Sequence, residues 1–351
     1  MDTWFHREIV SWYLTNKRDL PWRDQNNPYL IWLSEIILQQ TQVAQGISYF
    51  LRFKKAYPTV KRLANAPEDE VLKLWQGLGY YSRARNLLET ARAIMKEHNG
   101  TFPASHEKIR ALKGIGDYTA AAIASFAFDL PHAVVDGNVY RLLSRVYGIE
   151  TPVDTTAGKK EFSRLATGLL GPDPALHNQA IMEFGSQQCR PANPLCHSCP
   201  FSQRCKANRL NIVHLLPVKS KKVKVRERYF NYIVMADKKG NVHLRRREGK
   251  DIWQGLYEFP LVETTRKVTV NKLLGLKDSR LITGEKFSLR HVSRDYKHVL
   301  THQRLNARFL ITSSERDISG PGRAHISRLG DFAFPRLIEK FLDDCDLKEI
   351  L

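Results

Sequence analysis

Leu112-Lys-Gly-Ile-Gly-Asp-Tyr-Thr-Ala120 is the stretch on which the fold turns. Gly114 and Gly116, a residue apart, let the backbone come close to another molecule. The alanine-rich run that follows has the pattern of a helix, and its free N-terminal N–H groups make an anion site suited to phosphate. A plain corner between two helices has the same pattern, so the turn takes its meaning from its neighbours. Downstream, Asp136 lies in Val134-Val-Asp-Gly-Asn138, directly before the apolar-periodic Val139, Leu142, Leu143 and Val146. Aspartate there is a good helix N-cap. Beside a phosphate-gripping hairpin it is also placed to stabilise a cationic sugar intermediate, with Asn138 orienting it.

Upstream, the helical pattern of Tyr29 to Val43 sets Ile31 and Leu38 one turn on either side of Glu35, so a carboxylate interrupts an apolar face. Desolvation favours its protonated form and raises its pKa, as a general acid working near neutral pH requires. The alternative is a core glutamate paired with arginine.

From Trp4 to about Ala207 apolar residues recur three and four apart, punctuated by Asn27-Pro28, Tyr57-Pro58, Asn99-Gly100 and Gly171-Pro172, which predicts an all-α domain. We place it at 1–215. Leu216-Pro217 then opens a basic stretch (Lys219, Lys221, Lys222, Lys224, Arg226, Arg228), expected as an interdomain linker over 216–228 or, in its second half, as a solvated strand edge. Tyr229 to Ala236 and Val242 to Arg247 flank Asp237-Lys-Lys-Gly-Asn241, the composition of a β-hairpin. Leu305, Ala307, Phe309 and Ile311 alternate with polar residues as a half-buried strand should, and a closing helix runs from Pro335 to about Asp344. The second domain, 229–351, is therefore expected to be a smaller α+β unit.

Four of the five cysteines follow C-x6-C-x2-C-x5-C: Cys189, Cys196, Cys199 and Cys205, with Pro191, Pro194 and Pro200 stiffening the loop. In a reducing compartment such spacing suggests metal before disulfides, and four thiolates in one loop suit either a [4Fe-4S] cluster or a zinc ion. Arg190, Arg204, Lys206 and Arg209 would let such a loop rest on a phosphate backbone. Lys and Arg outnumber Asp and Glu by 55 to 36, a formal charge of +19, which points to a polyanion partner, nucleic acid being the commonest. No apolar run approaches the roughly 18 residues of a membrane span, and Met1 to Glu8 lack a signal-peptide core. A soluble, intracellular protein is expected, cytoplasmic and associated with the nucleoid, with no membrane partner and acting as a monomer.

Several pieces together resemble the helix-hairpin-helix glycosylase superfamily and, within it, the MutY-type adenine DNA glycosylases: Leu20-Pro-Trp-Arg23, Trp32-Leu-Ser-Glu-Ile-Ile-Leu-Gln-Gln-Thr-Gln-Val43, Gly77-Leu-Gly-Tyr-Tyr-Ser-Arg-Ala-Arg-Asn86, the hairpin, Val135-Asp-Gly-Asn138 and the cysteine loop. They occur in family order over nearly the whole first domain. The resemblance, more than the spacing, implies a [4Fe-4S] cluster on the four cysteines. It implies that Glu35 protonates adenine at N7 and handles the attacking water, while Asp136 stabilises or covalently traps the oxocarbenium-like sugar. Paired carboxylates across a glycosidic bond follow the logic of sugar hydrolysis. Tyr118 stands where strand-cleaving relatives carry a Schiff-base lysine, so a monofunctional glycosylase is implied, with Lys113 nearby leaving weak lyase activity conceivable.

By the same resemblance Gln39, Gln40, Thr41 and Tyr80 enter or touch the duplex, Gly114 and Gly116 grip it, and Arg18, Trp22, Arg23, Leu38 and Glu183 line the adenine pocket. Val242-His-Leu-Arg-Arg-Arg247, Trp253-Gln-Gly-Leu-Tyr-Glu-Phe-Pro260 and His298-Val-Leu-Thr-His302 resemble the family's Nudix-like domain, here without a Nudix catalytic box, so diphosphate hydrolysis is not expected. Leu300-Thr301-His302 falls where many relatives have Phe-Ser-His to check for 8-oxoguanine. Thr301 keeps the hydroxyl and His302 the imidazole, but Leu300 lacks the aromatic ring. The implied substrate is double-stranded DNA with adenine opposite 8-oxoguanine or guanine. A thymine or oxidised-pyrimidine glycosylase would share the hairpin, Asp136 and the cysteines. A non-catalytic DNA sensor would share the charge and the cysteines, yet gives no reason for Glu35.

Overall fold

The computed structural model describes residues 3–23, 25–220, 225–283 and 287–350; Lys221, Lys222 and Lys224 of the basic stretch lie outside them. The chain forms two compact units, one of residues 1–65 and 86–222, the other of residues 66–85 and 223–351.

The first unit is helical throughout. Its N-terminal helix, Thr3–Asn16, buries Phe5, Ile9 and Tyr13 against Leu142, Leu143 and Val146 of the helix Gly137–Tyr147, and against Phe162, Ile181, Phe184 and Phe201. The helix Pro28–Leu38 starts on proline behind an Asn27 cap, whose side chain accepts from the N–H groups of Tyr29 and Leu30. It is buried continuously from Tyr29 to Ile37, so Glu35 is carried into the interior rather than along a wet face. The hairpin is present: His106–Ala111 ends at Leu112, and Asp117–Phe128 begins behind Gly116. Gly114 turns the chain at φ +75°, where a side chain would be strained and a Cβ would lie 2.8 Å from that of Asn86. No side chain caps the N-terminus of Asp117–Phe128, which leaves its N–H groups available to an anion. The start of the basic stretch packs here too: Leu216 is buried in this core, and Val218 accepts from the N–H of Val153 through its carbonyl.

The second unit is a mixed sheet with helices on both faces. Its strands are β1 (Arg226–Asp237), β2 (Asn241–His243), β3 (Arg245–Arg246), β4 (Tyr257–Glu258), β5 (Leu261–Thr264), β6 (Phe287–Val292), β7 (Tyr296–Leu300), β8 (Gln303–Ser314) and β9 (Arg323–His325). The main sheet runs β6-β8-β1-β2-β9, with β5 also on β1 and β7 also on β8; β3 and β4 pair separately. β1 and β8 are parallel over their whole length, from Arg226 opposite Gln303 to Asp237 opposite Ser314. Side chains alternate between faces: Phe230, Tyr232, Val234 and Ala236 share one core with Leu305, Ala307, Phe309 and Phe341, whereas Ile233 and Leu310 meet Leu273 on the other face. The ring of Phe341, from the helix Arg336–Asp344, stacks on Phe309 at 3.8 Å.

The predicted hairpin forms between β1 and β2, with Ala236 opposite Val242, but Val242 to Arg247 divides between two sheets, since β3 leaves the main sheet to pair with β4. Arg226 and Arg228 belong to β1. Arg228 is buried, its guanidinium held by Asp251 and Glu263. The short helix Glu68–Trp75 precedes the strands by some 150 residues yet packs with them. Lys73 donates to the carbonyl of Phe332 at 2.9 Å, Tyr257 donates to Asp69 at 3.0 Å, and Arg246 bonds Glu68 at 2.8 Å. Among the described residues no helix is long and apolar enough to cross a membrane.

Candidate active site

A cavity of about 520 Å³ opens in the first unit, and most residues singled out from the sequence meet there: Arg18, Trp22, Arg23, Glu35, Leu38, Gln39, Gln40, Thr41, Tyr118, Asp136, Asn138 and Glu183 all line it. Four helices supply part of the wall, and the segments after Asn16 and after Leu38, with the cap residue Asp136, supply the rest. Glu35 and Leu38 come from Pro28–Leu38, Tyr118 from the hairpin helix, Asn138 from the helix Asp136 caps, and Glu183 from Pro174–Gln187.

Glu35 is 6% exposed. Burial pushes its carboxyl up to about 7, the Tyr118 hydrogen bond pulls it down and the Asp136 charge pushes it up. The Tyr118 hydroxyl donates to Oε2 at 2.6 Å. A carboxyl poised near neutrality on a cavity wall suits proton donation to a bound group and later proton removal. Asp136 caps the helix as foreseen and also lines the cavity. Its Oδ1 accepts from the N–H groups of Asn138 and Val139, each at 2.8 Å, as an N-cap does, and Oδ2 accepts from Asn138 Nδ2 at 2.7 Å. Burial raises its pKa, while these hydrogen bonds and then the Arg141 charge lower it.

The glutamate paired with arginine is Glu183 rather than Glu35. Burial alone would raise Glu183, but hydrogen bonds from Arg18 and Arg23 outweigh it and hold the carboxylate at about 2. Trp22 meets Phe50 edge-on at 5.4 Å. Gln39 donates to Thr119 Oγ1 at 3.3 Å, and Gln40 follows in the left-handed region at φ +57°. Lys113, at the hairpin, is engaged by Glu89 at 2.5 Å.

The sequence had not singled out Arg141. Its Nη2 donates to Asn138 Oδ1 at 2.8 Å and to the Gly185 carbonyl at 2.6 Å, while Nε donates to the Cys189 carbonyl at 2.7 Å. A continuous hydrogen-bond path thus joins Asp136 to the cysteine loop. The available signal was an arginine inside the apolar run that follows Asp136.

Cys189, Cys196, Cys199 and Cys205 line one small cavity of about 20 Å³ with Leu142, Val146, Phe201 and Arg145. Arg145 donates to Cys189 Sγ at 3.5 Å and to the carbonyls of Arg190, Pro191, Val213 and Leu216, tying the loop down from one buried side chain. Among the described residues no group of three or more His, Cys, Asp or Glu side chains is drawn together as a metal-ion cage. The four thiols nevertheless share this cavity, with Gln188, Ser202 and Asn208 as the other uncharged polar side chains on its wall. Burial first, then the neighbouring thiols, push the Cys199 thiol up to about 12, and a thiolate there would need a cationic centre to offset its charge.

Tyr80 and the turn after β7 lie in the second unit. Tyr80 is 48% exposed, sits in the left-handed region at φ +47°, and shares a 2.7 Å hydrogen bond between its hydroxyl and Thr301 Oγ1. Two residues singled out separately are thus in contact. A strained, exposed tyrosine is a recurrent mark of a functional surface. Its loop is fixed from beneath, Trp75 Nε1 and Arg83 Nη2 both donating to the Gly79 carbonyl. Thr301 and His302 are exposed, whereas Leu300 is half-buried against the sheet core.

Residues 33–167 match the family model of HhH-GPD superfamily base excision DNA repair proteins, and residues 231–344 that of the NUDIX domain. The chain is 34% identical over 303 residues to an adenine DNA glycosylase of Buchnera aphidicola subsp. Baizongia pistaciae, covering 85% of this chain and 83% of that one. The chain belongs to the adenine DNA glycosylase family. Members of this family are DNA N-glycosylases, hydrolases of base excision repair. The human adenine DNA glycosylase is 44% identical over 215 residues, which are 58% of this chain and 39% of that protein, so the chain matches less than half of the human relative's length. Among solved structures, a thermostable thymine-DNA glycosylase superposes with a TM-score of 0.56 at 29% identity, over 59% of this chain and 96% of that one. An endonuclease III from a non-covalent DNA complex shares the fold, with a TM-score of 0.52 at 21% identity, over 60% of this chain and 96% of that one.

Proposed function

We propose that this chain is a monofunctional adenine DNA glycosylase, hydrolysing the N-glycosidic bond of adenine opposite 8-oxoguanine or guanine after flipping it from the duplex. The observation that carries this reading is Glu35, buried, poised at about 7 and hydrogen-bonded by Tyr118 on the wall that Asp136 shares. Protonated Glu35 gives its proton to adenine N7, the C1′–N9 bond breaks with its electron pair going to the base, and Asp136 faces the resulting sugar cation. Glu35, now a carboxylate, takes a proton from water as the water oxygen bonds C1′, leaving free adenine and an abasic site. Tyr118 offers a hydroxyl where a Schiff base needs an amine, and Lys113 is engaged by Glu89, which supports hydrolysis without strand cleavage.

The uncapped helix N-terminus behind Gly114 and Gly116 suits a phosphate. Gln39, Gln40, Thr41 and Tyr80 suit insertion beside the flipped nucleotide, offsetting lost stacking. Arg18, Trp22, Arg23, Leu38 and Glu183 form the base pocket, with Thr301 and His302 set to test the opposite base beside a half-buried Leu300. Cys189, Cys196, Cys199 and Cys205 would hold a [4Fe-4S] cluster. When bound, that group stiffens the basic loop rather than entering the reaction. The protein acts as a monomer in the cytoplasm, at the nucleoid, its helical domain carrying the reaction and its Nudix-like domain the check of the opposite base.

Duplexes with adenine opposite 8-oxoguanine, guanine or thymine provide the test. Free adenine and an alkali-labile site from the first two support the proposal, with release abolished in Glu35→Gln and Asp136→Asn at nearly unchanged duplex affinity. Thymine release, or retention without base release, would refute it.

A further inference from the structure

Hydrogen bonds from Asn138 and Val139 fix the Asp136 carboxylate against its own helix, so its aim into the cavity depends on how its backbone is carried there. The chain reaches it through residues 129–135, which form neither helix nor strand. This approach leaves the hairpin helix Asp117–Phe128 at Asp129, in the left-handed region at φ +53°. Asn178, on the helix Pro174–Gln187, takes hold of it. Its Oδ1 accepts from the N–H of Val134 at 3.1 Å, and its Nδ2 donates to the His132 carbonyl at 2.8 Å and to Ser125 Oγ of the hairpin helix at 3.0 Å. No other side chain among the described residues hydrogen-bonds the backbone of residues 131–135. Asn178 and Val134 are each 1% exposed and Ser125 0%, so breaking these bonds leaves buried polar groups unpaired. Two turns further along the same helix face, the chain beyond Asp136 is met as closely: a Cβ on Gly185 would lie 2.7 Å from that of Asn138.

Resting on the adenine glycosylase reading above, we propose that Asn178 is a positioning residue, holding the approach to Asp136 in the register at which the carboxylate faces C1′ of the flipped nucleotide. The hairpin helix carries Tyr118 and follows the phosphate-gripping turn, while Pro174–Gln187 supplies part of the cavity wall. Asn178 joins both helices to the aspartate's approach through three hydrogen bonds. Without it, the Val134 N–H and the His132 carbonyl lose their partner, and the approach shifts to find others. A displacement of about 1 Å, at a charge set to face a developing cation, is enough to cost on the order of 100-fold in rate. The phosphate contacts of the hairpin stay in place.

Two duplexes report on Asp136 without any bond being broken. Each replaces the adenine nucleotide, one by a pyrrolidine whose ring nitrogen is cationic, the other by a neutral tetrahydrofuran of the same shape. A carboxylate facing the sugar favours the cation, by on the order of 10-fold or more in the unsubstituted chain. Asn178→Ala is expected to bring that preference to within about threefold of one and to slow single-turnover adenine release on the order of 100-fold, with affinity for the neutral duplex nearly unchanged. Ser125→Ala controls for stability: it too leaves a buried donor unpaired, yet it spares the bonds to His132 and Val134 and should keep the preference. Both affinities come from one preparation, so their ratio is independent of the folded fraction. Asn178→Asp, which keeps the volume and the acceptor for Val134 but not the donor for His132, should lose the preference as well, and stands in for the alanine variant if that one does not fold. Asn178 variants that keep the parental preference, or Ser125→Ala losing as much of it, overturn the inference while leaving adenine excision standing. An unsubstituted chain that neither releases adenine nor prefers the cation overturns the reading beneath it as well.

Discussion

Replacing Glu35 with Gln should abolish base release and, above neutral pH, make the protein more stable. The carboxyl moves from its ordinary 4.5 to about 7, chiefly because burial disfavours the charged form. At about 1.4 kcal/mol per pH unit, the ionised folded state bears a penalty on the order of 3 kcal/mol. The sign follows from proton counting. Between 4.5 and about 7 the folded chain keeps a proton that the unfolded chain has lost, so this residue lowers stability as pH rises, and the penalty is complete above 7. At pH 5 it is still below about 1 kcal/mol. Glutamine fills the same volume, accepts the Tyr118 hydroxyl through its amide oxygen, and carries no charge to desolvate. The variant should therefore melt close to the parent at pH 5 and higher at pH 8, by roughly 5 to 10 °C for a unit of this size. Circular dichroism melts of the holoprotein at both pH values, paired with single-turnover release, give the comparison. A variant less stable than the parent at pH 8, or a difference that does not grow with pH, would refute the claim that Glu35 is strained by desolvation.

Tyr118→Phe removes the donor that lowers the Glu35 pKa, so the alkaline limb of the rate against pH should move upward; a limb that stays or moves down contradicts the assignment. Tyr80→Phe and Thr301→Val break the same 2.7 Å hydrogen bond, so a double-mutant cycle on the preference for 8-oxoguanine over guanine should be non-additive by about 0.5 kcal/mol or more; additive losses mean the contact is idle. With a formal charge of +19, duplex affinity should fall on the order of a hundredfold or more between 50 and 200 mM salt, measured by fluorescence anisotropy, and a flat response would remove phosphate contacts from the account.

Much of this protein is legible in its sequence, because local rules act alone. The glycine turn, the alternating strand around Phe309 and the cysteine loop each depend on a few consecutive residues, and all three appear where the sequence placed them, whereas the helical pattern read over Tyr29 to Val43 stops at Leu38. Glu35 announced itself by breaking an apolar helix face. Tertiary structure alone decided what depends on partners distant in sequence. Burial brought Tyr118 to Glu35 across 83 residues, and assigned the arginine clamp to Glu183 through contacts 160 and more residues apart. It also drew the helix Glu68–Trp75 and Tyr80 to strands over a hundred residues downstream. Hydrogen bonds and desolvation depend on distance in space, and a chain's own order carries no record of which buried donors will find which acceptors.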